Sequence, residues 1–226
     1  MKEMRAFVAV NLSVSVLRRV NDVQRALRQR CLEDGWEVRW VPPPSLNIVL
    51  RYLGEIGWAL PVSLEDALAP RLGRLPPFPL HARNLEILEG AEGPSKVVVG
   101  IEDPESGLAS LQRALAGPLE EVGFKPEDEP RAIELVIGRV GTVGETPLLE
   151  LASEAAEADF GECMIGELVV YRSDVKVPGA EFRDIFRVRL SGRRPAPRVD
   201  ERPEPEPEPS EPDEEPREAE PSEQEA

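Results

Sequence analysis

One histidine, two cysteines and a 5% aromatic content leave this 226-residue sequence short of much of the usual chemical equipment. A Ser-His-Asp or Cys-His centre would have to use His81, and its surroundings in PFPLHARNL offer no nucleophile. His81 therefore reads as a surface or satisfied structural histidine. Cys31 and Cys163 sit in unrelated segments, neither with a partner at a metal-ligand or redox spacing, and read as reduced, buried small hydrophobes. The glycines of GRVGTVGE, at 138–145, have the wrong spacing for a phosphate loop or a dinucleotide fingerprint. No metal and no cofactor is expected. No apolar run approaches the roughly 18 residues of a membrane-spanning helix, and the apolar part of MKEMRAFVAVNLS is too short for a signal peptide. The expectation is a cytoplasmic monomer with no membrane association.

Charge is abundant but unevenly placed. Of the net −16, residues 195–226 carry thirteen acids against three arginines, so residues 1–194 hold 30 acids and 24 bases. The segment PAPRVDERPEPEPEPSEPDEEPREAEPSEQEA has no aromatic residue and a single valine, too little apolar surface to offset the entropy of ordering it. It is expected to be a disordered acidic tail, stiffened toward polyproline II by its Pro-Glu repeats. It is expected to be a solubilising appendage, or else to dock on a basic protein partner or compete with nucleic acid for the core. Residues 1–194 form the folded domain. Deleting 195–226 should leave thermal unfolding nearly unchanged; a drop of several degrees in calorimetry of the truncated chain would contradict this.

The folded part alternates strands and helices. RAFVAVNL (5–12) reads as a buried strand, and Ser13 as the N-cap of an amphipathic helix to about Leu32 with Val16, Val20, Val23 and Leu27 on one face. Strands follow at 36–41 and 45–53, separated by three prolines, then a helix over 63–73. Strands are expected at 78–88 and 96–101, and a helix from Pro104 to Val122 ends at Gly123. A strand at 131–140, a short helix at 146–158 and strands at 163–173 and 182–190 repeat the theme. The pattern predicts an α+β fold of two pseudo-symmetric lobes around a central cleft.

Two strands carry matched pairs. Period two puts Asn47 and Val49 on one face, before LRYLG, and Glu134 and Val136 on one face, before IGRVG. By the same alternation Arg51 shares the face of Asn47, with Tyr52 beside it. Arg139 falls opposite Glu134 unless a bulge intervenes, and Arg131 precedes the pair. Arginines with an aromatic nearby are candidates to hold a phosphate or stack a base.

The ordered blocks MRAFVAVNL, VRWVPPPSLNIVLRYLGEI, KVVVGI, LEEVGFKPEDEPRAIELVIGRV and ELVVYRSDVKVPGAEF resemble the RNA 2′,3′-cyclic phosphodiesterases, the 2′-5′ RNA ligase family of two-histidine phosphoesterases. The resemblance spans residues 4 to about 190. It implies a bilobal fold with two His-x-Thr/Ser motifs facing a cleft. One histidine would act as general base and the other as general acid, the hydroxyls would hold phosphate oxygens, and no metal would take part. Carried onto this chain, the first motif falls on Asn47 and Val49 and the second on Glu134 and Val136.

Opening a cyclic phosphodiester takes a proton from water and gives one to the leaving oxygen, work that suits imidazole because it titrates near neutrality. An amide does neither, and valine offers no donor to a phosphoryl oxygen. Glu134 alone is a base beside a negatively charged transition state, with no matching acid. The leading expectation is a catalytically degenerate homologue that serves as a binding or regulatory protein, with RNA ends or nucleotides as weakly held ligands. The alternatives are a phosphoesterase with Glu134 as base in a rearranged site, or an interaction protein acting through its acidic tail.

Overall fold

The computed structural model describes residues 3–33, 37–88, 95–127, 132–140, 157–176 and 179–193, all in the unit Met1–Arg194. The acidic tail, nearly all of the helix expected over 146–158, and Arg131 lie outside the described residues.

Strand β1 (Glu3–Val10) is buried at every position from Ala6 onward. Burial on both faces requires sheet neighbours on each edge and layers above and below, which is what an apolar run such as AFVAV demands. Helix α1 (Val14–Glu33) starts where expected, with the Ser13 hydroxyl accepting from Val16 N at 3.4 Å. Its inner face carries Val16, Val20, Leu27 and Cys31, with Gln24 buried among them, whereas Val23 is half-buried. Strand β2 (Val38–Trp40) is followed by a 3₁₀ turn (Pro43–Ser45) that the three prolines impose, so strand β3 (Ile48–Gly57) begins later than its expected start.

Helix α2 (Leu60–Leu72) and strands β4 (Phe78–Leu88) and β5 (Ser95–Glu102) follow. Helix α3 (Gly107–Glu121) starts three residues after Pro104, because the Asp103 carboxylate accepts from Gly107 N and Leu108 N at 2.8 Å each and fixes the first turn there. Its end is as expected. Gly123 takes φ +96°, its N–H donates to Glu120 O, and Phe124 N donates to Leu119 O.

Strands β6 (Leu135–Val140), β7 (Asp159–Ile165), β8 (Glu167–Lys176) and β9 (Gly179–Arg189) complete the fold. The single strand expected over 163–173 is thus two strands in different sheets. Gly166 is the one residue between them, and the chain crosses from one sheet to the other there. Continuous apolar character in CMIGELVV conceals this step, since both sheets bury the residues they take.

All strand pairs are antiparallel, in a four-stranded sheet of order β3-β1-β8-β9 and a five-stranded sheet of order β2-β6-β5-β4-β7. Helices α2 and α3 pack against each other and against β9 and β3; α1 packs on β7 and β2. The α+β architecture of two lobes is as expected, but the lobes are not sequence halves, because the four-stranded sheet takes β1 and β3 from the start and β8 and β9 from the end. The main core joins both sheets to the helices. A second cluster of Phe7, Ala9, Val169 and Tyr171, with Val49 and Phe182 against it, covers the other face of the four-stranded sheet. Among the described residues no helix is long and apolar enough to cross a membrane.

Candidate functional site

Two β-bulges decide which side chains meet. On β3, Val49 pairs with Ala9 but Arg51 pairs with Val8, so two steps along β3 match one along β1. Leu50 and Arg51 consequently both turn toward the helices, and alternation resumes one residue late, bringing Tyr52 to the side of Phe7. The expectation that Arg51 shares the face of Asn47 is corrected here. Its guanidinium lies on the α3 side, with Nη1 2.8 Å from Glu127 Oε2 and Nη2 donating to Lys125 O. Burial pulls its pKa below the usual arginine value.

On β6, Val136 pairs with Val98 and Gly138 with Val97, leaving Ile137 as the extra residue. This is the bulge that alternation alone left open, and it returns Arg139 to the side of Glu134 and Val136. The bulge is fastened from behind. Ile137 O accepts from Val41 N at 2.9 Å and from Gln24 Nε2 at 2.8 Å, and the same Gln24 amide donates to Val41 O at 2.7 Å. Gln24 is 3% exposed, so without these acceptors its amide would be a costly buried polar group.

The result is a small cavity of about 110 Å³ between the two sheets. Asn47, Val49 and Tyr52 form the wall at β3, Glu134, Val136 and Arg139 the wall at β6, and Phe182 reaches in from β9. Both motif pairs face one space, together with Tyr52 and Arg139 but without Arg51. Asn47 is 9% exposed at the foot of β3. Glu134 is held by Lys96, whose Nζ lies 2.8 Å from Oε2 and 3.2 Å from Oε1. Ser45, in the 3₁₀ turn, and Tyr52 bring the hydroxyls to the lining.

An aromatic layer sits beside the cavity. The Phe7 ring meets Phe182 edge-on at 4.8 Å, Tyr52 edge-on at 6.1 Å, and stacks with Tyr171 at 5.3 Å, a geometry that fixes the rings relative to one another. Tyr52 stays half-exposed. Burial pushes the Tyr171 hydroxyl up from its ordinary pKa, partly offset by the hydrogen bond it accepts from Asn11 at 2.7 Å, which removes it further from neutral-pH proton transfer.

His81 does not line the cavity. It lies on β4, with Nε2 2.7 Å from Asp159 Oδ1, and that contact holds the Asp159 carboxyl below its usual range. Neither Cys31 nor Cys163 is in a disulfide; both are buried, and burial raises the Cys163 thiol. Among the described residues no group of three or more His, Cys, Asp or Glu is placed to hold a metal ion.

Curated relatives match nearly end to end. The RNA 2′,3′-cyclic phosphodiesterase of Methanothermobacter thermautotrophicus is 27% identical over 189 residues, covering 83% of this chain and 100% of the relative. That of Archaeoglobus fulgidus is 24% identical over 182 residues, covering 80% and 98%. By sequence the chain is similar to the RNA 2′,3′-cyclic phosphodiesterases, the 2′-5′ RNA ligase family. Solved structures share the two-lobe fold of the family. The Thermus thermophilus protein TT0787 superposes with TM-score 0.66 at 23% identity, covering 84% of this chain and all of that one. E. coli LigT complexed with 3′-AMP superposes with TM-score 0.63 at 16% identity, covering 84% and 99%. No family model matches the chain.

Lys96, Ser45 and Gln24 escape the sequence reading. Gln24 leaves a trace, one polar residue four positions after Val20 on the buried stripe of α1. Lys96 leaves none, because its meeting with Glu134 depends on the β5-β6 register.

Proposed function

We propose that this chain is a non-hydrolytic member of the cyclic phosphodiesterase family whose cleft holds nucleotides or RNA ends weakly. The observation that carries the reading is the Lys96–Glu134 ion pair, at 2.8 Å, where the family resemblance implies a histidine. Both Glu134 oxygens accept from Lys96, so use of this carboxylate as a base means breaking the pair. The opposite wall offers Asn47, an amide that donates hydrogen bonds and yields no proton near neutral pH. Val49 and Val136 contribute contact area and no donor. Rate enhancement from acid and base groups, about 10²–10⁴-fold for each, has no evident source among these described motif positions.

What remains suits binding. Arg139 and Lys96 bring two cations against one carboxylate, Ser45 and Tyr52 bring hydroxyls, and the exposed Tyr52 ring offers a stacking face about which sequence need not matter. The cavity has room for a phosphate-sized group, with the rest of a nucleotide lying outward along the aromatic layer. That E. coli LigT was solved with 3′-AMP supports a nucleotide as the occupant.

Anisotropy of a labelled RNA ending in a 2′,3′-cyclic phosphate tests this. A carboxylate about 4 Å from a phosphate oxygen costs on the order of 1 kcal/mol in water and about 4 in a shielded cleft. Glu134→Gln should therefore tighten binding by roughly fivefold to 10³-fold, nearer the lower figure because Lys96 already neutralises much of the charge. Arg139→Ala should weaken it. Affinity indifferent to both changes would place the RNA end elsewhere.

A further inference from the structure

On the far side of β3 from the motif cleft, a second and larger cavity of about 280 Å³ opens between that strand and α3. Its lining is apolar for the most part, with Leu50, Leu115 and Leu119 at its base, yet among the described lining residues three cations, Arg51, Arg113 and Lys125, stand against one carboxylate, Glu127. In a chain of net charge −16, a local excess of positive charge over an apolar pocket is a specific arrangement. Arg51 is its anchor. Only 15% of its side chain is exposed, and its Nε is buried with no hydrogen-bond acceptor. A buried guanidinium donor without a partner is expensive unless something accepts from that group. Glu127 partly answers the need, its carboxylate placed 2.8 Å from Nη1, and at 38% exposure it is free to swing out.

We propose that this pocket is a binding site for a small amphipathic carboxylate, a medium-chain fatty acid or a ligand of that shape, whose carboxylate takes the place of Glu127 on Arg51 while its chain lies among Leu50, Leu115 and Leu119. The size is at the lower end of ligand pockets, which run from about 300 to 1,000 Å³, and so fits a short chain. Glu127 acts as the tethered occupant that an incoming carboxylate displaces. The site is separate from the motif cleft and does not rest on how that cleft is used, because the β3 bulge sends Leu50 and Arg51 to one side and Val49 and Tyr52 to the other.

The experiment titrates the full chain with octanoate, octanol and acetate, following leucine methyl resonances assigned by substitution. Octanoate is expected to bind saturably and to shift Leu50, Leu115 and Leu119 ahead of all other methyls, with octanol and acetate each at least tenfold weaker. Glu127→Gln, on the exposed side of the pocket, should tighten octanoate several-fold by removing the competing carboxylate. Arg51→Met should weaken it tenfold or more. Octanol binding as well as octanoate, shifts at other methyls, no saturable binding, or an affinity untouched by Glu127→Gln would each overturn the proposal. Because Glu127→Gln leaves the buried guanidinium in place, the test stands even if Arg51→Met fails to fold.

Discussion

The fourfold variant Asn47→His, Val49→Thr, Glu134→His, Val136→Thr is expected to gain measurable hydrolysis of 2′,3′-cyclic nucleotides over the native chain. All four positions line one cavity, so side chains placed there project toward each other across the two sheets. Two imidazoles supply the base and the acid, two hydroxyls hold phosphoryl oxygens, and Lys96, released from Glu134, adds a cation. Groups that act as a unit are strongly non-additive, so Asn47→His or Glu134→His alone should gain little of the about 10²–10⁴-fold that each contributes in a complete site. Chromatographic product assays with all three variants make the comparison. A folded fourfold variant with neither turnover nor tighter binding would show that these strand positions do not hold the family geometry.

Gln24→Leu is expected to be the most damaging change of a single polar side chain in the described fold. It leaves Val41 O and Ile137 O each without one buried donor, at a cost of about 1–3 kcal/mol. For a chain of this size a change of 1 kcal/mol moves the midpoint by about 2–4 °C, so calorimetry should read a fall of several degrees. The same change should also reach the cleft. Because the Ile137 bulge sets the side on which Arg139 emerges, hydrogen exchange at Gly138 and Arg139 should quicken and RNA-end binding should weaken. Gln29→Leu, at an exposed position whose amide donates to the exposed Glu33, serves as the control and should change neither. An unaltered melting temperature in Gln24→Leu would mean that the bulge holds itself.

Elements whose cause is local are legible in the sequence. The Phe78–Leu88 strand, the Ser13 cap and the Gly123 stop of α3 each follow from residues within a few positions of the feature. The pairing of Asn47 and Val49 with Glu134 and Val136 across one cavity follows from the block resemblance together with period two. What escapes is set by partners far along the chain. A bulge is an offset between two strands, so nothing near Leu50 or Ile137 announces it, and each one reverses a prediction about an arginine. The change of sheet at Gly166 is hidden because β7 and β8 both bury apolar side chains in the same main core although they belong to different sheets. The Lys96–Glu134 pair joins residues 38 positions apart and needs the register to bring them within reach.

The cleft is proposed to bind a cyclic phosphate without turning it over. The most direct test is a phosphorus-31 spectrum of 2′,3′-cyclic AMP held with an equimolar amount of the native full-length chain over a day. Binding without turnover should give a shifted or broadened cyclic phosphodiester resonance and no growth of either the 2′- or the 3′-monophosphate. Monophosphate appearing with native protein and vanishing with Glu134→Gln would contradict it and make Glu134 the base of a working site.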